Sequence, residues 1–278
     1  MLPAGDDRLP ALFAGEPADS PPLENLQGAV RFWEDNPELM AFLDPDSPVH
    51  HDKIIERALY LRQWETHLHR ARRVLDLGGG IGRFSTWLLD RGCEVELVDP
   101  DLRSLWRAVQ FAVGRPGSLD VHWSTGECLP SMAAVDTAVL CEVLNYVENP
   151  ALVLERVWDV LQPGGTLLVS VEARWGWAMA MDVAQGSIDG WFSGVVHVPG
   201  DVWVRTYTRE DLHALLSERF HVERIVPSHY VFSGPFELAS NVTELSVEET
   251  LALEDRLREH PVAAPLNRAW VAVARKLV

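Results

Sequence analysis

The sequence predicts an α/β chain: a doubly wound, seven-stranded sheet with its last strand antiparallel, an N-terminal helical cap and a lid inserted after strand five. Three observations carry this. Apolar, strand-like runs alternate with amphipathic helical stretches from Arg73 onward. The first run, Val74-Leu75-Asp76-Leu77, breaks into Gly78-Gly79-Gly80-Ile81-Gly82, four glycines in five residues. The alternation lapses between Glu172 and Tyr207, where Trp175, Trp177, Trp191 and Trp203 crowd together.

Taken in order, residues 1–25 are rich in Pro, Asp, Ala and Gly and are expected to be flexible. Residues 26–72 form the cap. Apolar residues at helical spacing predict a helix over 26–43, and Asp44-Pro45-Asp46-Ser47-Pro48 marks a turn. A second, long helix is expected over Val49–His69. The remaining residues, 73–278, form the α/β domain, with the lid at 172–207. Strands are expected at 73–77, 94–98, 119–124, 135–141, 166–171, 220–226 and 270–277. Helices are expected at 82–91, 100–113, 150–161, 208–218 and 244–259. Asn149-Pro150 reads as an N-cap followed by proline, and Thr208 with Asp211 as a capping box. The two late strands suit an antiparallel edge. The charged helix at 244–259 reads as a solvated face or an oligomer contact.

Composition excludes several function classes. The 24 basic residues against 41 acidic ones give a formal charge of −17. Phosphate backbones need a basic face, so nucleic acid is not an expected partner, and neither is an anionic membrane. Cys93, Cys128 and Cys141 are too scattered for disulfides or a metal cluster and read as reduced residues of a cytoplasmic protein. No apolar run approaches the roughly 20 residues of a membrane span, and no secretory signal is expected.

A strand that breaks into a glycine loop and restarts as a helix offers bare backbone N–H groups to a ligand. Asp99 closes the second strand, where a carboxylate can accept from both hydroxyls of a ribose. The loop alone leaves a dinucleotide open. Asp76, expected at the mouth of the site, would repel a pyrophosphate and attract an ammonium group, which favours a cofactor with a cationic amino-acid end.

The run Asp76-Leu77-Gly78-Gly79-Gly80-Ile81-Gly82 resembles motif I of the class I S-adenosylmethionine-dependent methyltransferases. Glu96-Leu97-Val98-Asp99-Pro100, Thr125-Gly126-Glu127-Cys128-Leu129-Pro130, Val135–Val147 and Leu161-Gln162-Pro163-Gly164-Gly165 are similar to that family's later motifs. The resemblance implies a Rossmann-like sheet and S-adenosyl-L-methionine as cofactor. It implies that Asp76, Gly78 and Gly80 surround the methionine portion, that Asp99 holds the ribose and that Pro100 lies against the adenine. Gly126 and Glu127 would line the adenine edge, and Cys141 would offer its backbone to the amino-acid end. Thr125 stands where the family usually has an aspartate, and a hydroxyl accepts less strongly there.

The tryptophan-rich segment lies directly after strand five and carries several glycines, which suits a cover that excludes water. The alternative is a second hydrophobic mini-core. Candidates for a base are His197, preferred for its place in the lid, and Tyr146, His51 and His50, with Asn145 and His229 candidates too and expected near the acceptor. Trp33 and Arg62 are expected to cap the same mouth. The expected function is methyl transfer to O, N or C of a small, aromatic or amphipathic acceptor, with no metal and with homo-oligomerisation open. The rivals are a cofactor-binding cyclase or isomerase of secondary metabolism, an NAD-dependent oxidoreductase and a non-catalytic binding protein.

Overall fold

The computed structural model describes residues 43–47, 49–180, 188–198, 202–232, 234, 236 and 245–277. The expected tail, Trp33 and nearly all of the helix expected at 26–43 lie outside them, as do parts of the lid. The first described helix, α1 (His50–Leu68), leads into β1 (Arg73–Leu77), α2 (Ser85–Leu89), β2 (Glu94–Asp99), α3 (Leu102–Ala112) and β3 (Ser118–Trp123). Then come β4 (Val135–Cys141), α4 (Pro150–Val160) and β5 (Leu161–Glu172). The segment after β5 holds α5 (Arg174–Ala180), α6 (Ile188–Ser193) and the antiparallel pair β6 (Val195–Val198) and β7 (Val202–Arg205). The chain closes with α7 (Arg209–Ser217), β8 (His221–Ser228), α8 (Val247–Glu259) and β9 (Ala269–Arg275).

The seven-stranded sheet has the order β3-β2-β1-β4-β5-β9-β8. Strands β1 to β5 pair in parallel, and β9 runs antiparallel to both β5 and β8. The last strand is therefore antiparallel as expected, but it is not an edge. The crossover through α7 sets β8 one place away from β5, and β9 returns into the gap. Strands on both sides and helices on both faces explain why Ala269 and Val271–Ala274 are buried.

Side chains alternate between two cores. Leu75, Leu140, Leu167, Val169 and Ala272 face α4 and α7. Val74, Val139, Leu168, Val271 and Val273 face α1, α2 and α3. Tyr60, Trp64 and Leu68 of α1 lie within this second core, and the Trp64 indole donates to Ala272 O at 3.3 Å. This long helix is thus one layer of the sheet's cover rather than a cap over its end, and only part of its length reaches the mouth. Arg62 points elsewhere, to Asp255 of α8 at 2.6 Å.

Local sequence explains the helix ends. The Asn149 side chain accepts from Leu152 N–H, Thr208 and Asp211 close a capping box, and Ser246 with Glu249 closes another. The Lys276 ammonium donates to Trp158 O and Leu161 O, satisfying the carboxyl end of α4. The expected solvated face at 244–259 needs correction. Leu251, Leu253 and Leu257 pack with Ile55, Leu59, Tyr230 and Phe232. Glu254 is fully buried and accepts from the Tyr230 and Val231 N–H groups at 2.8 Å. The apolar side of α8 is used within the chain.

Candidate active site at the strand ends

The C-terminal ends of the parallel strands and the N-terminal end of β9 lie along one edge, with Glu172, Ala269 and Ser228 in register there. Past the end of β1, Gly78, Gly80 and Gly82 have φ of +66°, +55° and +90°, a region that L side chains rarely enter. A Cβ on Gly78 would come within 2.6 Å of Val143, and one on Gly79 within 2.7 Å of the Asp76 carboxyl carbon. Above Gly80 there is open space, with nothing within 4 Å of an added Cβ. The loop needs glycine twice for close packing and once beside a void.

Asp99 stands beside that void. Its Oδ2 accepts from Gly80 N–H and its Oδ1 from Asp101 N–H, each at 2.8 Å. Each oxygen retains a lone pair. Burial lifts the carboxyl to about 7 against the lowering effect of those two hydrogen bonds. Asp76 is not at an open mouth as expected. It is 1% exposed, and its Oδ2 accepts from Ser85 N–H at 3.0 Å and Ser85 Oγ–H at 2.6 Å, tying β1 to the start of α2. Burial raises it to about 6.

A family model described as a methyltransferase domain matches residues 32–219, more than half of the chain. The chain belongs to the class I S-adenosylmethionine-dependent methyltransferases. Among curated relatives, the tRNA 5-carboxymethoxyuridine methyltransferase of Escherichia coli is 34% identical over 99 residues, which are 34% of this chain and 38% of that protein. A ubiquinone biosynthesis O-methyltransferase of Paraburkholderia phymatum is 26% identical over 149 residues, 52% of this chain and 60% of that one. The match thus spans less than two thirds of either relative. In fold, the chain resembles the 1,6-didemethyltoxoflavin-N1-methyltransferase of Burkholderia thailandensis, with a TM-score of 0.56 and 19% identity over 94% of both chains. It also resembles the magnesium protoporphyrin IX methyltransferase of Synechocystis, with a TM-score of 0.58 and 13% identity over 91% of this chain and 99% of that one.

In this chain the loop after β3 is engaged with its own scaffold. Thr125 Oγ1 accepts from Cys128 N–H at 3.3 Å, and a Cβ on Gly126 would touch Val153 at 3.0 Å. Glu127 turns its Oε1 to Glu148 N–H and Asn149 N–H, at 3.1 and 3.4 Å. The Pro100 carbonyl accepts from the Trp123 indole at 2.8 Å. The Cys141 thiol meets Arg83 Nη2 at 3.1 Å and Ser170 Oγ at 3.4 Å, and burial pushes it up to about 12.

Sequence reasoning named His229 but missed the polar cluster that it joins at the same edge. Past β4, Glu142 has φ +60°, and past β8, His229 has φ +62°; they are the two non-glycine residues with positive φ among those described. Such strain is held only where surroundings impose it. Both meet Tyr60: its hydroxyl donates to Glu142 Oε1 at 2.6 Å, and its ring lies 4.7 Å from the His229 ring. Arg268, just before β9, donates to Glu172 Oε1 at 2.7 Å, and its Nη1 lies 3.9 Å from Glu142 Oε1. Glu56 of α1 pairs with Lys53 and Arg83. Burial alone would raise Glu56, but Arg83 and then Lys53 hold it well below the usual carboxylate range. The available signal was positional: acids at the ends of two neighbouring parallel strands, Glu142 and Glu172.

The remaining candidates separate. His229 joins this cluster; it is fully buried, and burial drops it to about 3. Asn145 is also fully buried, with neither side-chain amide atom hydrogen-bonded, while its backbone carbonyl accepts from Arg205 N–H at 2.8 Å. Tyr146 is 36% exposed, yet burial and then the Glu172 and Glu142 carboxylates raise its hydroxyl above the usual tyrosine range. His51 is exposed in the first turn of α1, and the groups that helix brings to the cluster are instead Glu56 and Tyr60. His197 lies on β6 opposite Trp203 of β7. Trp177 and Trp191 form a mini-core with Val196 and Val204, their rings 5.6 Å apart. Trp175 is exposed and meets Phe192 edge-on.

Proposed function

We propose that this chain transfers the methyl group of S-adenosyl-L-methionine to a small-molecule acceptor at the strand ends, beneath the segment 172–207. The observation that carries the cofactor half is Asp99 and the Gly80 N–H held together at 2.8 Å beside open space. Asp99 keeps lone pairs for the two ribose hydroxyls. Gly78 and Gly80 leave the backbone bare for the amino-acid end, the buried Asp76 holds the loop in place through Ser85, and Cys141 offers its backbone there. Pro100 and Gly126 flank the adenine. The side chains of Thr125 and Glu127 are already engaged, so that loop contributes its backbone. When bound, the cofactor supplies a methyl group on a sulfonium, activated for in-line displacement.

Segment 172–207 serves as a cover. It is fastened to the exit of β4 by Arg205 N–H on Asn145 O, and its own core keeps it shaped. The exposed Trp175–Phe192 pair suits an aromatic or amphipathic acceptor. The charge of −17 favours a small molecule over tRNA, even though one relative acts on tRNA. Free cysteines at 93, 128 and 141 suit the cytoplasm; among the described residues no helix is long and apolar enough to cross a membrane.

Incubation with methyl-labelled cofactor and a panel of amines, phenols, lactams and carboxylic acids, with total tRNA alongside, tests this. Label is expected in a small molecule and not in tRNA. Label in tRNA contradicts the acceptor class. Label nowhere, with the cofactor still bound, favours a cyclase or isomerase that keeps the sulfonium intact.

A further inference from the structure

At the acceptor side, buried polar atoms stand without partners. Glu172 is 2% exposed and its Oε2 makes no hydrogen bond, nor does Arg268 Nη1, whose ion-pair neighbour Glu142 Oε1 stands off at 3.9 Å, although Glu172 and Arg268 share one hydrogen bond through their other atoms. Unmade hydrogen bonds of buried charged groups are costly, and a catalytic or binding role is one of the few reasons a chain keeps them. With Glu172 ionised, the form that accepts a hydrogen bond, three carboxylates (Glu56, Glu142, Glu172) face three cations (Lys53, Arg83, Arg268) across the cluster, so no excess charge is left for an ionic acceptor.

We propose that Glu172 Oε2 and Arg268 Nη1 anchor the acceptor, a neutral molecule with an N–H or O–H beside a carbonyl-type oxygen, and that Glu172 receives the proton released on methylation. This rests on the methyl-transfer reading above. The carbonyl oxygen accepts from Arg268 Nη1, and the N–H or O–H donates to Glu172 Oε2. As the acceptor's heavy atom bonds to the methyl carbon, the carbon–sulfur electron pair stays on sulfur. The acceptor's proton passes to Glu172, which replaces the positive charge lost from the sulfonium.

The groups facing Glu172 are Arg268 before β9, Glu142 and Tyr146 after β4, and Glu56 and Lys53 of α1. Burial pushes Glu172 up to about 8, with Arg268 opposing that rise. The ionised form is the one that accepts, so binding of a donor should strengthen as pH rises towards 8 and level off above it.

The test is calorimetry on the full chain saturated with S-adenosylhomocysteine, using 2-quinolone and N-methyl-2-quinolone as probes between pH 6.5 and 9. The wild type is expected to bind the N–H lactam roughly 30-fold more tightly at pH 9 than at pH 6.5, a tenfold change per unit below the carboxyl's midpoint. The N-methyl compound should bind at least about tenfold more weakly and without that slope. E172Q should flatten the slope and E172D should restore it, which separates a proton-linked contact from a fold defect. Equal binding of the two probes, an unchanged slope in E172Q, or no binding of the lactam overturns the proposal. S-adenosylhomocysteine affinity from the same titrations keeps this apart from the cofactor reading, which falls only if that affinity is absent in the wild type.

Discussion

Asp99→Ala is expected to weaken S-adenosylmethionine binding roughly 100- to 10,000-fold, since two hydrogen bonds to a charged acceptor contribute about 1.5–3 kcal/mol each. The substitution also frees the Gly80 and Asp101 N–H groups that shape the loop. A pH dependence should accompany it. Asp99 titrates near 7, raised by burial, and the ionised carboxylate is the form that accepts from the ribose. Affinity in the wild type should therefore rise from pH 6 to pH 8 and then level off. The sign for folding is the reverse: a carboxyl raised above its unfolded value stabilises the chain below about pH 4 and loses that contribution as pH passes 7. In D99A the slope of binding should disappear. Calorimetry across that range checks both effects, and unchanged affinity would remove Asp99 from the site.

Arg83→Ala is expected to cost about 3–5 kcal/mol of stability, the usual result of stripping one partner from a buried ion pair. Arg83 leaves the glycine loop to meet Glu56 of α1, whose side chain is 4% exposed, and its guanidinium lies 5.5 Å from the Tyr60 and Phe84 ring centroids. Removing it strands Glu56 with only Lys53. For a chain of this size, such a loss lowers Tm by roughly 10 °C, readable by calorimetric melting. Pairing Glu56→Gln with Arg83→Met should recover much of it, because no buried charge is then orphaned. A loss under about 1 kcal/mol in R83A would show that the pair does not join the loop to α1.

Arg83 illustrates what the sequence could and could not disclose. In sequence it is only the residue that follows the glycine loop. Its positive role depends on Glu56, 27 positions earlier, and no local pattern links the two. The glycine loop and Asp99 were legible because strand, turn and acid follow a short spacing that backbone geometry imposes. Strands β1 to β5 were legible because burial on both faces leaves continuous apolar runs, as in Val135–Cys141. The place of β9 was not, since it depends on how far the α7 crossover carries β8. The acceptor-side cluster draws Tyr60, Glu142, Glu172, His229 and Arg268 from five separate elements, and each looks ordinary in its own surroundings. The tryptophans divide between the two readings open to them. Trp177 and Trp191 cover each other, because a segment that rides over a sheet must first build a core of its own.

The most direct measurement is titration of the purified chain with S-adenosylmethionine, S-adenosylhomocysteine and NAD⁺ under one condition. One equivalent of S-adenosylmethionine, and of its demethylated product, should bind in the micromolar range or tighter, with no heat from NAD⁺. Binding of NAD⁺ without S-adenosylmethionine would contradict the assignment of the Gly80–Asp99 cradle to this cofactor.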